Sequence, residues 1–275
     1  MPPQTSGSPA PGPERPLATY ASIAHVARVY DYLLGGKDNF AADREAAEHA
    51  IRINPDIVST ARANRAFGIR TTSYLVAQAG IRQFLDIGTG MPTNNNIHEV
   101  AQSIAPESRI VYVDHDPIVS THARALLTGA PEGVTDYIEA DLREPGKILA
   151  EAARTLDFSR PVAIMLIAVL HLILDRDDPY DLVSRLVNAV VPGSYVVISH
   201  AASDIDTGAM ISMASRLNEL MAQQSVPRTH REVASFFAGL DLVEPGLVRV
   251  PEWRPASVSD SAVRAQMWGG VGHKP

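Results

Sequence analysis

Three apolar runs in this chain end in residue types that suit a nucleoside. The first, Phe84-Leu85-Asp86-Ile87-Gly88-Thr89-Gly90, reads as a buried strand running into a tight turn. Glycines there admit positive φ and let a ligand approach backbone N–H groups with no Cβ in the way. Asp86 stands at the strand end, where a carboxylate can orient the loop or bind an ammonium group. The second run, Ile110-Val111-Tyr112-Val113, ends in Asp114-His115-Asp116-Pro117. Asp114 falls one helix and one strand after the turn. A carboxylate there reaches a ribose bound at the first loop and accepts hydrogen bonds from its vicinal hydroxyls. Asp116, just before Pro117, also reads as a helix start. The third run ends in Asp141-Leu142, an acceptor for the exocyclic amine of adenine beside an apolar side chain that can pack on the ring. In series, the three strand ends suit an adenosine that carries no phosphates.

Other nucleotide chemistry fits less well. Thr93 stands where the dinucleotide fingerprint has its third glycine, which disfavours a nicotinamide oxidoreductase. There is no P-loop and no Gly-x-Ser-x-Gly elbow beside Ser199-His200. His98, Glu99, His115, Asp116 and His122 have no standard metal-ligand spacing. After the fourth run, Ile164–Ile167, come Ala168-Val169-Leu170-His171-Leu172. His171 is the candidate general base or pocket-lining group, with a histidine on a helix face as the plain alternative. His200, after the fifth run, is a second candidate.

These residues need a scaffold. From Ile81 onward, runs rich in Val, Ile and Leu alternate with helical stretches: Gln83–Ile87, Arg109–Val113, Thr135–Glu139, Pro161–Ile167 and Ser194–Ser199. Most lack strict alternation, as strands of a parallel sheet covered on both faces do. Helices near 209–223 and 229–238 precede two further strands, Leu242–Val250 and Met267–Val271, expected at an antiparallel edge. The fold class is α/β, with a doubly wound, mostly parallel sheet.

Residues 1–16 are rich in Pro, Ser and Gly and are expected to form a disordered tail. Residues 17–80 read as a helical cap: one helix from Ser22 to the Gly35-Gly36 stop, one from Ala41 to Arg52, and one from Asp56 to Ala79. Residues 81–275 form the ligand-binding domain. Tyr30, Lys37, Asp38, Asn39 and Phe40 cluster at the double glycine, as a lid that contacts substrate would. Arg62 and Arg65 share a helical face, and either can pair with a ligand carboxylate; the alternative is a solvated face.

Composition sets outer bounds. The 275 residues contain no cysteine, so disulfides, thiolate metal sites and cysteine nucleophiles are excluded. The net charge of −7 makes nucleic acid an unlikely partner. No apolar run approaches the roughly 18 residues of a membrane span, and no secretory signal pattern opens the chain. A cytoplasmic location is expected.

Asp86-x-Gly88-x-Gly90, Asp114 and Asp141-Leu142 resemble the first three motifs of class I S-adenosylmethionine-dependent methyltransferases. Ala27 to Phe40, Arg62 to Phe67, Phe237 to Leu247 and Trp253-Arg254-Pro255 resemble an actinobacterial methyltransferase-like family formerly classed as a domain of unknown function. The resemblance runs from about Ser22 to the end. It implies a seven-stranded sheet with the last strand inserted antiparallel. It also implies S-adenosylmethionine as cofactor, with Gly88–Gly90 on its methionine part, Asp114 on the ribose and Asp141 on the adenine; Asp86, Thr89, His115, Asp116, Leu142 and Ala168 complete the expected contacts. The reaction would be in-line methyl transfer to a small molecule. The Asn/Asp-Pro-Pro-Tyr/Phe signature of amine-methylating nucleic-acid enzymes is absent. The alternative is a non-catalytic protein that senses the cofactor.

Overall fold

Strands buried on both faces favour parallel pairing with helical crossovers; four such strands form the centre of the sheet, and a more exposed fifth continues it to one edge. They are Gln83–Ile87 (β1), Arg109–Asp114 (β2), Val134–Glu139 (β3), Ala163–Ile167 (β4) and Tyr195–Ala201 (β5), in the order β3-β2-β1-β4-β5. The structure is a computed structural model that describes residues 22–126, 129–221 and 223–275. The expected tail, residues 1–16, and the start of the expected cap lie outside the described residues.

Leu85 sits between Val111 of β2 and Ile164 of β4. The chain reverses its direction of travel across the sheet between β1 and β4, which opens a crevice at the carboxyl ends of these strands. Successive side chains point to opposite faces, so the sheet has two cores. Leu85, Ile87, Val111, Ile164 and Val196 pack on one side. Phe84, Ile110, Met165 and Val197 pack on the other, with Phe67 and Trp253. Trp253 is fully buried, its ring edge-on to Phe67 at 5.8 Å.

The crossover helices are Ile97–Ile104 (α4), Pro117–Leu126 (α5), Pro145–Ala152 (α6) and Pro179–Asn188 (α7). Before the sheet come Val26–Leu33 (α1), Ala41–Ile53 (α2) and Ile57–Ala77 (α3). The first helix starts later than the apolar pattern alone predicts, because His25 is extended and its side chain accepts from the Ala27 N–H. It stops as expected, with Gly35 at φ 84°. After β5 come Thr207–Leu220 (α8) and His230–Ala234 (α9). The expected helix 229–238 tightens to 3₁₀ at Ser235–Phe237.

The C-terminal strand Met267–His273 (β8) lies antiparallel beside β5. The expected run Leu242–Val250 is instead two short strands, Asp241–Leu242 (β6) and Val248–Arg249 (β7), both paired with β8. Between them, Pro245 offers no N–H and Gly246 takes φ 91°, so the chain turns. The sheet therefore has eight strands rather than seven. A four-residue helix, Val258–Ser261 (α10), precedes β8. Among the described residues, no helix is long and apolar enough to cross a membrane.

Candidate functional site

The turn after β1 is held open by its own backbone chemistry. Gly88 and Gly90 have φ of 78° and 68°, where side chains are strained. Gly88 N–H donates to Val113 O at 2.8 Å, tying the turn to β2. Thr89 Oγ1 donates to Asp86 O at 3.2 Å. The carboxylate of Asp114 receives Gly90 N–H on Oδ2 at 2.9 Å and Asp116 N–H on Oδ1 at 3.0 Å. Asp114 thus joins the two strand-end loops and keeps acceptor capacity on both oxygens.

A cavity of about 250 Å³ opens at this crevice. Asp86, Gly88, Thr89, Gly90, Asp114 and His115 line its floor, and Ala168, Val169 and His171 line it beyond β4. The helical segment covers it, through Ala27, Tyr30 and Leu33 of α1 and Asn64, Arg65 and Gly68 of α3. A second cavity of about 360 Å³ shares Gly88, Asp114, His115 and Val169 with the first and is also bordered by Asp141 and Leu142. Asp141 is paired with Arg143, whose guanidinium holds the carboxyl below its usual range against the effect of burial.

The electrostatics are uneven. Burial holds the Asp86 carboxyl up to about 7, Arg65 pulls it down and Asp114 pushes it up. Arg65 Nη2 donates to Asn94 O and Asn95 O at 3.1 and 2.8 Å, while its buried Nε has no hydrogen-bond partner. Burial, then the Arg228 guanidinium, depress the His171 imidazole to about 4. It is therefore neutral at pH 7, and its Nδ1 has no hydrogen-bond partner. Its ring stands edge-on to His200 at 5.6 Å. His200 is held in place by Arg228 Nη1 on Nε2 at 3.0 Å and by Ala201 O on Nδ1 at 2.8 Å.

Several expected residues lie elsewhere. Asp116 does not line either cavity: His25 and Arg28 face its Oδ2 at 3.1 and 3.5 Å, and its Oδ1 accepts from Ile118 N–H, as a helix start requires. Lys37 and Arg62 are exposed. Asn39 Nδ2 and Asp38 N–H both donate to Asp31 Oδ2, at 2.8 and 2.9 Å. Phe40 stacks under Arg28 at 5.3 Å. Of the expected lid residues, Tyr30 and Arg65 reach the cavity, whereas Lys37, Asn39 and Phe40 build the turn after α1.

Other lining residues had been given no role in the site. Asn64, Gln266 and the methionines Met91, Met210, Met213, Met221 and Met267 all face the cavity. The available signal was Met210 and Met213, three apart on one helix face. Among the described residues, no group of three metal-ligating side chains is close enough to hold an ion.

A sheet in this order, with glycines and carboxylates at the ends of its first strands, defines the Rossmann-like methyltransferase class. The chain belongs to the S-adenosyl methyltransferase family, whose model matches residues 14–275. It is similar to a DUF574 family protein from Streptomyces avermitilis: 45% identity, 93% of this chain and 99% of that one covered, TM-score 0.89. A putative methyltransferase from Thermobifida fusca is 41% identical over 92% of this chain and 96% of that one, with TM-score 0.83. The plantazolicin methyltransferase BpumL, solved with S-adenosylhomocysteine, shares the fold at 12% identity, 90% and 96% coverage and TM-score 0.50. No curated protein matches the chain. The chain is an S-adenosylmethionine-dependent methyltransferase, and S-adenosylmethionine is its cofactor.

Proposed function

We propose that this enzyme methylates a small molecule held in the covered cavity, by in-line displacement. One observation carries the reading: a single cavity joins the glycine and carboxylate loops to an apolar chamber beneath α1 and α8. A chamber covered by helices suits a small acceptor better than a polymer. The non-catalytic alternative gains no support from the family or the fold.

The residues present fit the cofactor. Gly88 and Gly90 clear the floor for its methionine part, and Arg65, with its unpartnered buried Nε, suits the carboxylate. Asp114 accepts from the ribose hydroxyls with the capacity left after Gly90 and Asp116. Asp141 and Leu142, bordering the adjoining cavity, serve the adenine, with His115 between. Asp86 and Ala168 complete the wall. When bound, S-adenosylmethionine supplies a methyl group on a cationic sulfur.

The chain aligns the acceptor and excludes water. Tyr30 closes the roof: its hydroxyl donates to Ala61 O at 3.0 Å and accepts from Asn64 Nδ2 at 2.9 Å. His171, neutral with a pKa near 4, is too weak a base to collect a proton at pH 7. Its role here is to hydrogen-bond and orient the acceptor.

Calorimetry with S-adenosylhomocysteine tests the ribose assignment. Asp114→Asn turns one acceptor oxygen into a donor facing a backbone N–H. Loss of charged hydrogen bonds, at about 1.5–3 kcal/mol each, is expected to weaken binding by about tenfold to a hundredfold. Undiminished affinity in the folded variant would falsify the assignment. Release of S-adenosylhomocysteine with an acceptor tests the activity itself.

A further inference from the structure

The cavity divides by chemistry. Asp86, Asp114, Arg65 and His115 stand on its strand-end side. The opposite side is built by α2, α8 and the approach to β8. There the described lining residues carry no charge, and Ala50, Met210, Met213, Leu217, Gln266 and Met267 form the wall. Ala50, Met210 and Met213 belong to one packed cluster, with Leu217 against it. An ion moved there would lose its water and meet no opposite charge. Thioethers are soft, polarizable and favourable beside aromatic rings.

Asn54 explains how this wall is set. It is 2% exposed, and its Nδ2 faces Met210 Sδ at 3.6 Å and Met213 Sδ at 3.7 Å while donating to Gln266 Oε1. Sulfur only accepts, so the two thioethers fix which end of the Asn54 amide points at them, and that end in turn fixes the oxygen of Gln266. The Gln266 Nε2 is then the free end, with no hydrogen bond among the described residues. Its main chain is pinned, with N–H on Thr60 Oγ1 at 3.2 Å and O accepting from Ala202 N–H at 3.0 Å. His171 adjoins the same end of β5 through His200 and also has an unpartnered nitrogen.

We propose that the methionine-walled side of the cavity takes a neutral aromatic acceptor, its ring against Met210 and Met213 and its polar group hydrogen-bonded by Gln266 Nε2 and His171. This rests on the methyltransferase reading, which makes the occupant of that side the methyl acceptor. Gln266 sets specificity by demanding an acceptor atom on the ligand. The Asn54 amide positions Gln266 and touches no ligand itself.

Binding to the full chain saturated with S-adenosylhomocysteine tests this without turnover. The probes are 2-acetylnaphthalene, its fully ring-saturated analogue and 2-naphthoate, compared by calorimetry, with naphthalene as the control that lacks the polar group. The ketone is expected to bind about tenfold or more tighter than either comparator, the worth of roughly one good hydrogen bond or ring contact. Equal binding of the saturated analogue would overturn the aromatic preference, and equal binding of naphthoate would overturn neutrality. No binding of the ketone would overturn the proposal as a whole. Gln266→Glu keeps an oxygen for Asn54 and replaces the donor with an acceptor. It is expected to weaken the ketone about tenfold and naphthalene much less; equal losses would make Gln266 merely structural and overturn its role. If S-adenosylhomocysteine fails to bind, the methyltransferase reading falls and this inference with it. Normal cofactor binding with indifferent probes overturns this inference alone.

Discussion

Asp86 is a carboxylate with no hydrogen-bond donor on it among the described residues, buried to 7% exposure beside Asp114. Burial, more than Asp114, holds it up to about 7, and Arg65 offsets only part of this. In the unfolded chain an aspartate titrates near 3.9, about three units lower. Between those values the folded protein binds more protons than the unfolded one. Stability therefore falls as pH rises from about 4 to about 7 and is level above that. Asp86→Asn removes the penalty. Urea unfolding is expected to show the variant more stable than the parent at pH 8 by about 2–4 kcal/mol, with the gap shrinking towards pH 4. A gap that stays the same across that range would mean that Asp86 is not the group responsible. The comparison is made at matched pH because His171 has the opposite sign. Its depressed pKa of about 4 makes stability fall as pH drops from about 6.5 to about 4.

The β1 turn shows how an element depends on a distant one. A Cβ added at Gly88 would lie 2.4 Å from Val169 Cγ2 and 2.7 Å from Val169 Cβ. The requirement for glycine thus comes from the segment after β4 as well as from the φ of 78°. Gly88→Ala is expected to cost about 2–4 kcal/mol, from left-handed strain and overpacking together. Adding Val169→Ala removes both γ carbons and is expected to restore part of that loss, leaving the backbone strain and the 2.7 Å approach to the β carbon of residue 169. No recovery in the double variant, measured by denaturant unfolding, would place the clash elsewhere. The glycine was legible in the sequence because a strand followed by Gly-x-Gly is a local pattern. Val169 was not legible as its neighbour, because the contact is made by sheet pairing. Lys37, Asn39 and Phe40 do not line the cavity, and their place was hard to read for a related reason. A polar cluster after a double glycine serves a lid and a self-capped turn equally well, and only the contact of Asn39 with Asp31 separates the two. β1, β2, β4 and β5 could be read because burial on both faces leaves runs rich in Val, Ile and Leu; β3, at the edge, is half exposed. β6 and β7 are two residues each, too short for any periodicity.

At the scale of the whole molecule the site exists only where the helical cover meets the sheet. Ala168 N–H donates to Ser199 Oγ at 3.0 Å, and Ser199 Oγ donates to Asn64 Oδ1 at 2.6 Å. Asn64 Nδ2 continues to Tyr30 Oη at 2.9 Å and Tyr30 Oη to Ala61 O at 3.0 Å. One directed chain of hydrogen bonds therefore runs from the end of β4 through β5 and α3 to α1. None of it was legible in the sequence, since its members are far apart along the chain and a buried Asn or Ser has no pattern of its own. Arg28 adds a second clasp, with Nε on Asp43 Oδ2 at 2.8 Å and Nη1 near Asp116. A ligand that fills the cavity touches both layers and binds only the closed form. At a hundredfold excess over Kd, S-adenosylhomocysteine is expected to raise unfolding free energy by about 2.7 kcal/mol. The same binding is expected to slow amide hydrogen exchange in α1 as well as in the Gly88–Gly90 turn, because α1 must open to release the ligand. Asn64→Leu cuts the hydrogen-bond chain at its centre while keeping bulk. In that variant, ligand protection is expected to persist in the turn and to diminish in α1. If exchange in α1 of the parent protein is indifferent to ligand, the cover opens independently of the site and the coupling through Asn64 is refuted.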